Sequence, residues 1–399
     1  MKKILFVVNT MGRAGAETAL LELMRILDGP EYEVSLYVIL AQGEMIGQLP
    51  PHVKLMNQRV SSRSVMTGRG KLAMAGTICS AFFRNGGYLG KIHCIIRNFA
   101  EMRKAGKLQM DKLLWRMLSD GAVRTEEVFD LAVAYLEGAS AYYVADHVKA
   151  RHKAGFIHID YRSAGYTRRM DRNCWGRFDR IFGVSDEVRE HFLAVYPEYG
   201  KKTKVFHNII NQDQIRSRAK EEGGFPDDYA GARLLTVGRL TYQKAYDIAI
   251  EAMELVKDAG FAARWYVLGE GSERRQLEKK IAALKLKEDF VLLGAVTNPY
   301  PYYVQADLYV HATRFEGKSI AIQEAQTLGC AVIASDRNGN REQIENGHDG
   351  ILCDLDPQAI AESIIELLED KEKRKALGGA AAKKDMTQAQ ELKMLLELL

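Results

Sequence analysis

The sequence has no long hydrophobic run. No apolar stretch among its 399 residues approaches the roughly 18–20 consecutive residues that a helix needs to cross a bilayer. The N-terminal segment 1–8 places two lysines before five apolar residues, as secretory signals do, but the run stops at Asn9 and no small-residue cleavage site follows. We therefore predict that this segment is the first strand of a folded domain.

Cysteine is scarce as well. The five cysteines are odd in number, scattered and without the spacing of a metal site, which indicates free thiols in a reducing cytosol. No Asp-x-Asp pair of the kind that clamps a divalent ion ends a predicted strand. Asp171 is isolated, and the pair Asp227-Asp228 lies in a polar stretch where solvation explains it. The sequence predicts a cytoplasmic protein without a metal site.

Two halves of the chain repeat one pattern. Short, near-continuous apolar runs, typical of parallel strands covered on both faces, alternate with segments of helical periodicity. The predicted strands are 3–9, 32–39, 129–135, 154–158 and 180–184 in the first half and 233–238, 264–269, 290–294, 306–312 and 330–334 in the second. This alternation predicts an α/β protein with two doubly wound, Rossmann-like domains.

The predicted domain boundary lies in the polar stretch 211–232, which contains two adjacent glycines and a proline. We expect an N-terminal domain at 1–210 and a C-terminal domain at 211–399. Functional sites in such folds lie beyond the carboxyl ends of the strands, so the cleft between the two domains is the expected site.

A basic segment interrupts the first half at 59–118. It holds twelve Lys or Arg residues against two acids, Glu101 and Asp111, with apolar residues interleaved. An anionic membrane surface attracts such a segment by about 1 kcal/mol for each basic residue near the lipid, which would place the protein at the inner face of the membrane. A helical insertion that packs on its own domain has the same composition, so both interpretations stay open. Nucleic acid is not expected, because the pI of about 8.6 is mild and no nucleic-acid module occurs.

Residues 315–329 contain two glutamates, Glu316 and Glu324, eight positions apart. The stretch lies between two predicted strands, which places Glu316 in a loop and Glu324 inside the following helix. The start of that helix, at Ser319 and Ile320, offers free N–H groups and a positive dipole end, which favour a bound phosphate. Taken alone, the two acids are as readily explained as solvated groups on a surface helix.

A second candidate anion site follows the strand at 233–238. Gly238 ends the strand, Arg239 can bind a phosphate through two hydrogen bonds, and Lys244 adds a point charge where the next helix opens. Basic loop residues are common, so neither Arg239 nor Lys244 identifies a site by itself.

The combination of this basic loop with the paired glutamates resembles the signatures of retaining glycosyltransferases with the GT-B architecture, of the large family-four type. Further similarity occurs at 268–274, at 292–296 and in the N-terminal glycine loop 12–17. The resemblance implies two Rossmann-like domains that face a central cleft, with a last helix that crosses back to the first domain. No motif of this family occurs in 59–118.

The resemblance also implies a role for each candidate residue. Arg239 and Lys244 hold the diphosphate and stabilise it as a leaving group, and Glu324 accepts the ribose hydroxyls. Glu316 and His158 lie near the donor sugar and complete the implied catalytic group. The other implied donor-binding residues are Gly15, Gly238, Gly269, Gly271, Val296, Lys318, Ser319 and Ile320. Asp160 is a weaker candidate, directed toward the acceptor.

The implied reaction is a retaining transfer of a hexose from a nucleoside-diphosphate sugar, with UDP favoured only as the commoner nucleotide. The acceptor is a glycan or a lipid-linked glycan in cell-surface polysaccharide assembly. No cofactor and no metal are expected, because basic side chains and a helix dipole can replace a divalent ion.

Three other interpretations stay open. A nucleotide-sugar epimerase of the same architecture lacks an acceptor cleft. A dinucleotide-dependent oxidoreductase begins with a similar strand, glycine loop and helix, but no Gly-x-Gly-x-x-Gly fingerprint follows the first strand, and no acid ends the second strand at the ribose position. A non-enzymatic scaffold is disfavoured because both glutamates and both basic residues are present.

Overall fold

The computed structural model describes residues 1–65, 67–104, 106, 109, 112–162, 164–315, 317–386 and 389–399. The chain divides into two compact units: unit 1 is Met1–Ile209 with Gln388–Leu399, and unit 2 is Ile210–Thr387. Each unit has its own parallel sheet and its own buried core. The prediction of an α/β protein with two Rossmann-like, parallel-sheet domains is confirmed.

Unit 1 is built on a seven-stranded parallel sheet. Its strands are β1 (Lys2–Val8), β2 (Tyr32–Val38), β3 (Lys54–Leu55), β4 (Val128–Ala134), β5 (Lys149–Ile157), β6 (Arg180–Gly183) and β7 (Thr203–Val205). They lie in the order β3-β2-β1-β4-β5-β6-β7. The central strands are apolar without alternation because both faces of the sheet are covered, as the fully buried run 4–8 of β1 illustrates.

Helices connect and cover these strands. They are α1 (Gly15–Ile26), α2 (Gly68–Phe83), α3 (Tyr88–Lys104), α4 (Trp115–Asp120), α5 (Ala139–His147), α6 (Arg168–Asp171) and α7 (Asp186–Val195). The basic segment contains α2, α3 and the beginning of α4. Two of its basic residues, Lys91 and Arg116, are buried, so they add nothing to a basic surface.

Strand β5 begins five residues before its predicted start at 154. Residues 149–153 pair with β4 through Val128↔Lys149 and Phe129↔Ala150, yet most of them are exposed. An extended segment outside the core keeps polar residues, so hydrophobicity reveals only the buried part of the strand. The short strands β3 and β7 at the edges of the sheet were not predicted for the same reason.

Asp171 is not isolated. Its carboxylate is fully buried and accepts hydrogen bonds from the hydroxyl groups of Tyr142 (2.7 Å), Tyr161 (2.8 Å) and Tyr196. Arg116, also buried, donates to the carbonyl oxygens of Met170 (2.8 Å) and Asp171. Burial raises the pKa of the Asp171 carboxyl, and the three hydroxyl donors oppose that shift. The aspartate therefore organises the core of unit 1, a role that the sequence did not reveal.

Unit 2 contains a six-stranded parallel sheet. Its strands are β8 (Ala232–Val237), β9 (Ala263–Leu268), β10 (Phe290–Gly294), β11 (Leu308–His311), β12 (Ala331–Ser335) and β13 (Ile351–Cys353). Its helices are α8 (Gln212–Arg218), α9 (Tyr246–Asp258), α10 (Arg274–Ala283), α11 (Tyr300–Gln305), α12 (Ile320–Thr327), α13 (Asn338–Arg341), α14 (Pro357–Glu369) and α15 (Lys371–Ala381). The strand order β10-β9-β8-β11-β12-β13 is that of a doubly wound dinucleotide-binding fold.

The polar stretch 211–232 is part of unit 2. Residues 212–218 form α8, and the amide of Gln212 donates to the carbonyl oxygen of Lys384 (3.1 Å). The carboxylate of Asp227 accepts hydrogen bonds from Arg264 (2.9 Å) and Tyr266 (2.8 Å). The interpretation that Asp227 is merely solvated is therefore wrong, because folding brings β9 against it.

The last helix, α16 (Ala389–Leu396), belongs to unit 1, although it follows unit 2 in the chain. Glu391 on this helix contacts His207 of unit 1, with Oε1 and Nδ1 2.9 Å apart. Within the ranges that the structure describes, no helix combines the length and the apolar character needed to cross a membrane.

Candidate functional site

The sheet of unit 2 reverses its winding between β8 and β11, which are neighbours although two strands separate them in the chain. In doubly wound folds this switch point opens a crevice at the carboxyl ends of the two strands. Strand β8 ends at Val237 and β11 ends at His311. The two segments that follow them carry the basic loop and the segment of the paired glutamates, so the topology brings both motifs to one place.

Hydrogen bonds join these two segments directly. The carbonyl oxygen of Gln243 accepts from the backbone N–H of Arg314 (2.8 Å) and from the hydroxyl of Thr313 (3.0 Å). The side-chain amide of Gln243 donates to the carbonyl oxygen of Phe315 (2.9 Å). The guanidinium of Arg314 binds both carboxylate oxygens of Asp247, at 2.9 and 2.6 Å. These bonds anchor residues 313–315 to the basic loop. The next residue, Glu316, lies outside the described residues.

Two candidate glycines, Gly269 and Gly271, allow the loops after β8 and β9 to approach each other. A Cβ on Gly269 would lie 1.9 Å from the carbonyl oxygen of Gly238, and a Cβ on Gly271 would lie 2.1 Å from the carbonyl oxygen of Leu240. A Cβ on Gly238 would meet the hydroxyl of Tyr246 at 3.2 Å. Close approach of the backbone therefore explains Gly269 and Gly271 without any ligand, whereas Gly238 faces the side chains of Tyr246 and Lys244.

The two basic candidates have different surroundings. Arg239 is exposed at the carboxyl end of β8. Lys244 is half-buried, and its Nζ lies 3.5 Å from Nε2 of His311, the buried last residue of β11. The other ring nitrogen of His311 lies 3.1 Å from the hydroxyl of Tyr309. His311 was not among the sequence candidates, because a histidine within an apolar strand usually belongs to the core.

Glu324 is buried on α12 and is held by two tyrosines of α11. The hydroxyl of Tyr300 donates to Oε1 (3.2 Å), and that of Tyr303 donates to Oε2 (3.1 Å). Burial keeps the pKa of Tyr303 well above its usual value, so its hydroxyl stays protonated and can donate. The spacing of the two tyrosines, one helical turn apart, was the available sequence signal, but it did not indicate Glu324 as their partner.

The N-terminus of α12 lies in the same segment. Ser319 is its N-cap residue, and no side-chain hydrogen bond caps the helix there. Ser319 and Ile320 are buried, whereas Lys318 is half-buried. The first amides of a helix have no intrahelical acceptor and carry partial positive charge, so this end can bind an anion. It adds to the positive charge of Arg239 and Lys244.

Val296 lies farther along the same edge of the sheet, in the loop after β10. That loop is joined to the loop after β9, because the N–H of Gly269 donates to the carbonyl oxygen of Gly294 (2.8 Å). Gly294 has a φ of +86°, a backbone conformation that favours glycine. Val296 is half-buried and presents an apolar side chain two strands away from Gly238.

Unit 1 has its own switch point, between β1 and β4, and His158 lies one strand away at the end of β5. Its backbone N–H donates to Oε2 of Glu137 (3.0 Å), a buried acid that follows β4. Asn9, which follows β1, donates from its side chain to the carbonyl oxygen of Glu137 (3.0 Å). Gly15, the candidate in the N-terminal glycine loop, is the first residue of α1. Asn9 and Glu137 were missed, since nothing in the sequence shows that β1, β4 and β5 are adjacent.

Burial shifts the pKa of each of the two titratable groups at this edge of unit 1 toward its neutral form. Burial lowers the pKa of His158 to about 4, against the opposing effect of a backbone hydrogen bond with Tyr135. Burial also raises the pKa of Glu137, although the hydrogen bond from the backbone of His158 opposes this shift. The Nε2 atom of His158 is buried and has no hydrogen-bond partner within the described part of the chain.

Residues 218–384, which contain every candidate of unit 2, match the family model of glycosyl transferases group 1. Two relatives come from Campylobacter jejuni. One is a 4-α-N-acetylgalactosaminyltransferase named for N-acetylgalactosamine-N,N'-diacetylbacillosaminyl-diphospho-undecaprenol, 31% identical over 44% of this chain and 47% of its own length. The other, an α-1,4-N-acetylgalactosaminyltransferase also named for a glycan on diphospho-undecaprenol, is 25% identical over 94% of this chain and 92% of its own.

Over residues 218–384 this chain is similar to the group 1 glycosyltransferases. The resemblance inferred from the paired glutamates and the basic loop is thereby confirmed. The chain spans about half or less of the length of two relatives that it matches. It covers 47% of the first Campylobacter relative and 41% of an uncharacterised glycosyltransferase of Methanocaldococcus jannaschii.

Solved structures of GT-B glycosyltransferases share the fold of this chain. Anabaena HepE in complex with UDP is 17% identical with a TM-score of 0.67, over 100% of this chain and 99% of HepE. Staphylococcus aureus TarM is 12% identical with a TM-score of 0.67, over 100% of this chain and 98% of TarM. At these identities the similarity establishes the fold alone.

Proposed function

We propose that this protein is a retaining hexosyltransferase. It moves a hexose from a nucleoside-diphosphate sugar, with UDP as the favoured nucleotide, to a glycan or lipid-linked acceptor in the assembly of a cell-surface polysaccharide. The observation that carries the proposal is the joining of the Lys244 loop to the 313–315 segment at the switch point of unit 2. This contact sets two cations and a helix N-terminus beside the segment that leads to the buried Glu324.

The donor diphosphate is the group that best matches this charge. Arg239, Lys244 and the amides of 318–320 supply positive charge and N–H donors, which attract a group carrying two negative charges. Glu324, fixed by two tyrosines, supplies a carboxylate that can accept hydrogen bonds from ribose hydroxyls. UDP is favoured because HepE and TarM have been crystallised with it.

Catalysis would come mainly from stabilising the leaving diphosphate. Negative charge grows on the β-phosphate as the glycosidic bond breaks, and fixed donors there are worth several kcal/mol each. In a retaining transfer the acceptor attacks from the face that the diphosphate leaves, and the diphosphate helps to remove the acceptor proton. Glu316 and His158 are assigned to the donor sugar, and the reaction is proposed to need no metal.

The acceptor is proposed to be a lipid-linked glycan. Both Campylobacter relatives are named for acceptors on diphospho-undecaprenol, and one of them aligns with nearly the whole chain. The relatives are named as transferases, so the epimerase and oxidoreductase interpretations are not favoured. A lipid-linked acceptor places the site of action at a membrane surface.

Thermal unfolding with a panel of UDP, GDP, ADP, CMP and NAD, each with and without EDTA, tests the donor. A ligand that binds only the folded protein adds about 2.7 kcal/mol of stability at a hundredfold excess over its dissociation constant. We expect stabilisation by UDP that EDTA leaves unchanged. Stabilisation by NAD alone would overturn the proposal, and a UDP effect abolished by EDTA would refute its metal-independent part.

A further inference from the structure

Helix α3 carries apolar residues on its exposed side and both polar and apolar residues on its buried side. The exposed apolar residues recur every three or four positions and are Leu89, Ile92, Ile96 and Phe99, with Leu89 84% exposed. The opposite side is buried and carries Lys91, Cys94, Asn98 and Met102. A surface helix normally turns its apolar stripe to the core and a polar side to solvent. Helix α3 instead leaves the apolar stripe from Leu89 to Phe99 open to solvent.

Hydrogen bonds of the buried lysine fix this orientation. Lys91 Nζ donates to the carbonyl oxygens of Ala81 (2.9 Å), Phe82 (3.0 Å) and Arg84 (2.6 Å) at the end of α2. These carbonyls are among those that a helix C-terminus leaves without intrahelical partners. Turning the apolar stripe of α3 inward would break all three bonds, so its exposure is built into the hairpin of α2 and α3.

Helix α2 extends the apolar surface. The ring centroids of Phe83, at the end of α2, and Tyr88, at the start of α3, lie 5.8 Å apart. We call the exposed apolar side chains of this hairpin the outer face: Leu72, Phe83, Tyr88, Leu89, Ile92, Ile96 and Phe99. They are seven of the fifteen large apolar side chains that the described residues expose, within less than a tenth of the chain. Such a concentration marks an interaction surface.

Positive charge lies at the end of each helix that is remote from the turn between them. Arg69 and Lys71 are exposed at the start of α2, and Arg103 and Lys104 are exposed at the end of α3. The one acid in the sequences of these two helices, Glu101, is engaged by Arg169, with Oε1 and Nη1 2.6 Å apart. The border of the outer face is therefore basic, without a free acid on either helix.

We infer that the outer face docks on an anionic phospholipid bilayer. Its apolar side chains enter the boundary between headgroups and acyl chains, while the bordering basic residues contact lipid phosphates. A second copy of this chain is a poorer occupant, because pairing two outer faces would bring the same basic residues together. The inference deepens the proposed function, on which it rests for its biological setting, by naming the surface that would hold the enzyme next to a lipid-linked acceptor.

Cosedimentation of the full chain with vesicles tests the inference. We expect binding to vesicles of equal parts phosphatidylcholine and phosphatidylglycerol, and much weaker binding to phosphatidylcholine alone. Ile92→Ser should weaken binding about tenfold and the double change Leu89→Ser with Ile96→Ser about a hundredfold, from the apolar area that no longer enters the lipid. Ile26→Ser is the matched control, because Ile26 is also helical and is 43% exposed against 42% for Ile92.

The basic border has a separate test. Replacing Arg103 and Lys104 together by glutamine should lower affinity for the anionic vesicles by about fivefold per residue, and added salt should lower the affinity of the unchanged protein. Unchanged melting temperatures would show that the variants remain folded. No binding to anionic vesicles, or equal loss in Ile92→Ser and Ile26→Ser, would overturn the inference. A dimer detected by light scattering and dissociated by Ile92→Ser would also overturn the inference.

Nucleotide binding separates this inference from the proposed function. If UDP stabilises the protein but anionic vesicles do not bind it, docking is wrong and the transferase proposal stands. If vesicles bind through the outer face but no nucleoside diphosphate stabilises the protein, docking stands and the transferase proposal fails.

Discussion

At the scale of single residues, the local sequence predicts the helical position of Glu324 but not the partners that its carboxylate binds. The local sequence predicts that Glu324 lies on a helix after a loop, and it does. Its two hydroxyl partners come from α11, more than twenty residues earlier, and reach it only when that helix packs beside α12. The two tyrosine hydroxyls restrict the orientation of the carboxylate.

Tyr303→Phe should therefore weaken UDP binding. Removing a hydroxyl that donates to a buried carboxylate costs about 1.5–3 kcal/mol, and part of this cost should appear as a roughly tenfold higher dissociation constant in calorimetric titration. Tyr302→Phe is the matched control on the same helix, because the Tyr302 ring packs on Phe225 with centroids 5.3 Å apart. Equal UDP affinity in the two variants would contradict the positioning role of Tyr303.

Glu324→Ala and Lys244→Ala should each abolish transfer while leaving the fold intact. The first removes the carboxylate assigned to ribose, and the second removes a cation assigned to the leaving diphosphate, whose loss costs a hundredfold or more in comparable sites. Initial rates of sugar transfer and circular dichroism provide the measurement. Glu288→Ala and Lys287→Ala, at exposed neighbouring positions of unit 2, should behave like the unchanged protein. Near-normal activity in either site variant would refute the site.

His158 should make the fold less stable in mild acid. Its pKa is about 4 in the folded protein against an ordinary value of 6.5, so between these values the unfolded chain binds a proton that the folded protein does not. Stability then falls as pH falls through this window, by about 2 kcal/mol between pH 7 and pH 5. Urea unfolding at the two pH values should show a smaller loss for His158→Gln. The exposed His93→Gln should retain the full loss, and an unchanged slope in His158→Gln would exclude a neutral, buried His158.

At the scale of elements, the two loops at the switch point act as one assembly. The sequence identifies both motifs, but it does not show that Gln243 and Arg314 connect them. Parallel strands that are far apart in the chain become neighbours in the sheet, and the hydrogen bonds between their loops depend on that order. Each motif is recognisable from consecutive residues, whereas the contact between the loops joins residues that are far apart in the chain.

Arg314→Lys should lower the rate of transfer more than it lowers UDP affinity. Lysine keeps the charge but cannot bind both oxygens of Asp247, so the segment leading to Glu316 loses part of its anchor. We expect about a tenfold lower kcat, consistent with a positioning effect of modest size, and a smaller change in UDP dissociation constant. Arg168→Lys removes a similar two-point pair with Glu198 on unit 1, at 2.8 and 2.9 Å, and is the control. A larger loss of UDP affinity than of kcat would assign Arg314 to binding instead.

At the scale of the whole molecule, each unit has a separate core and a separate sheet. Domains with their own cores are able to unfold as separate cooperative units. The proposed nucleotide site lies mainly on unit 2, so UDP is expected to stabilise that unit directly.

Calorimetry of the full chain should show two unfolding transitions, and UDP should raise the melting temperature of one of them. Val267→Ala in β9 and Val133→Ala in β4 remove the same buried group from the centres of the two sheets. Each should lower one melting temperature by about 2–4 °C. The transition lowered by Val267→Ala should be the one that UDP raises. A single transition, shifted alike by both variants and by UDP, would show that the two units unfold together.

The sequence by itself determined the α/β class, the positions of the buried strands and the two motifs of the glycosyltransferase family. These properties are local, since hydrophobic periodicity and glycine or charge spacing are written in consecutive residues. The tertiary structure alone decided that Asp171 is the centre of a tyrosine network, that Tyr300 and Tyr303 hold Glu324, and that α3 leaves an apolar stripe exposed. The first two depend on how separate elements pack against each other. The third depends on the hydrogen bonds that Lys91 donates to the end of α2, which fix the orientation of α3 against the pattern of its hydrophobic residues.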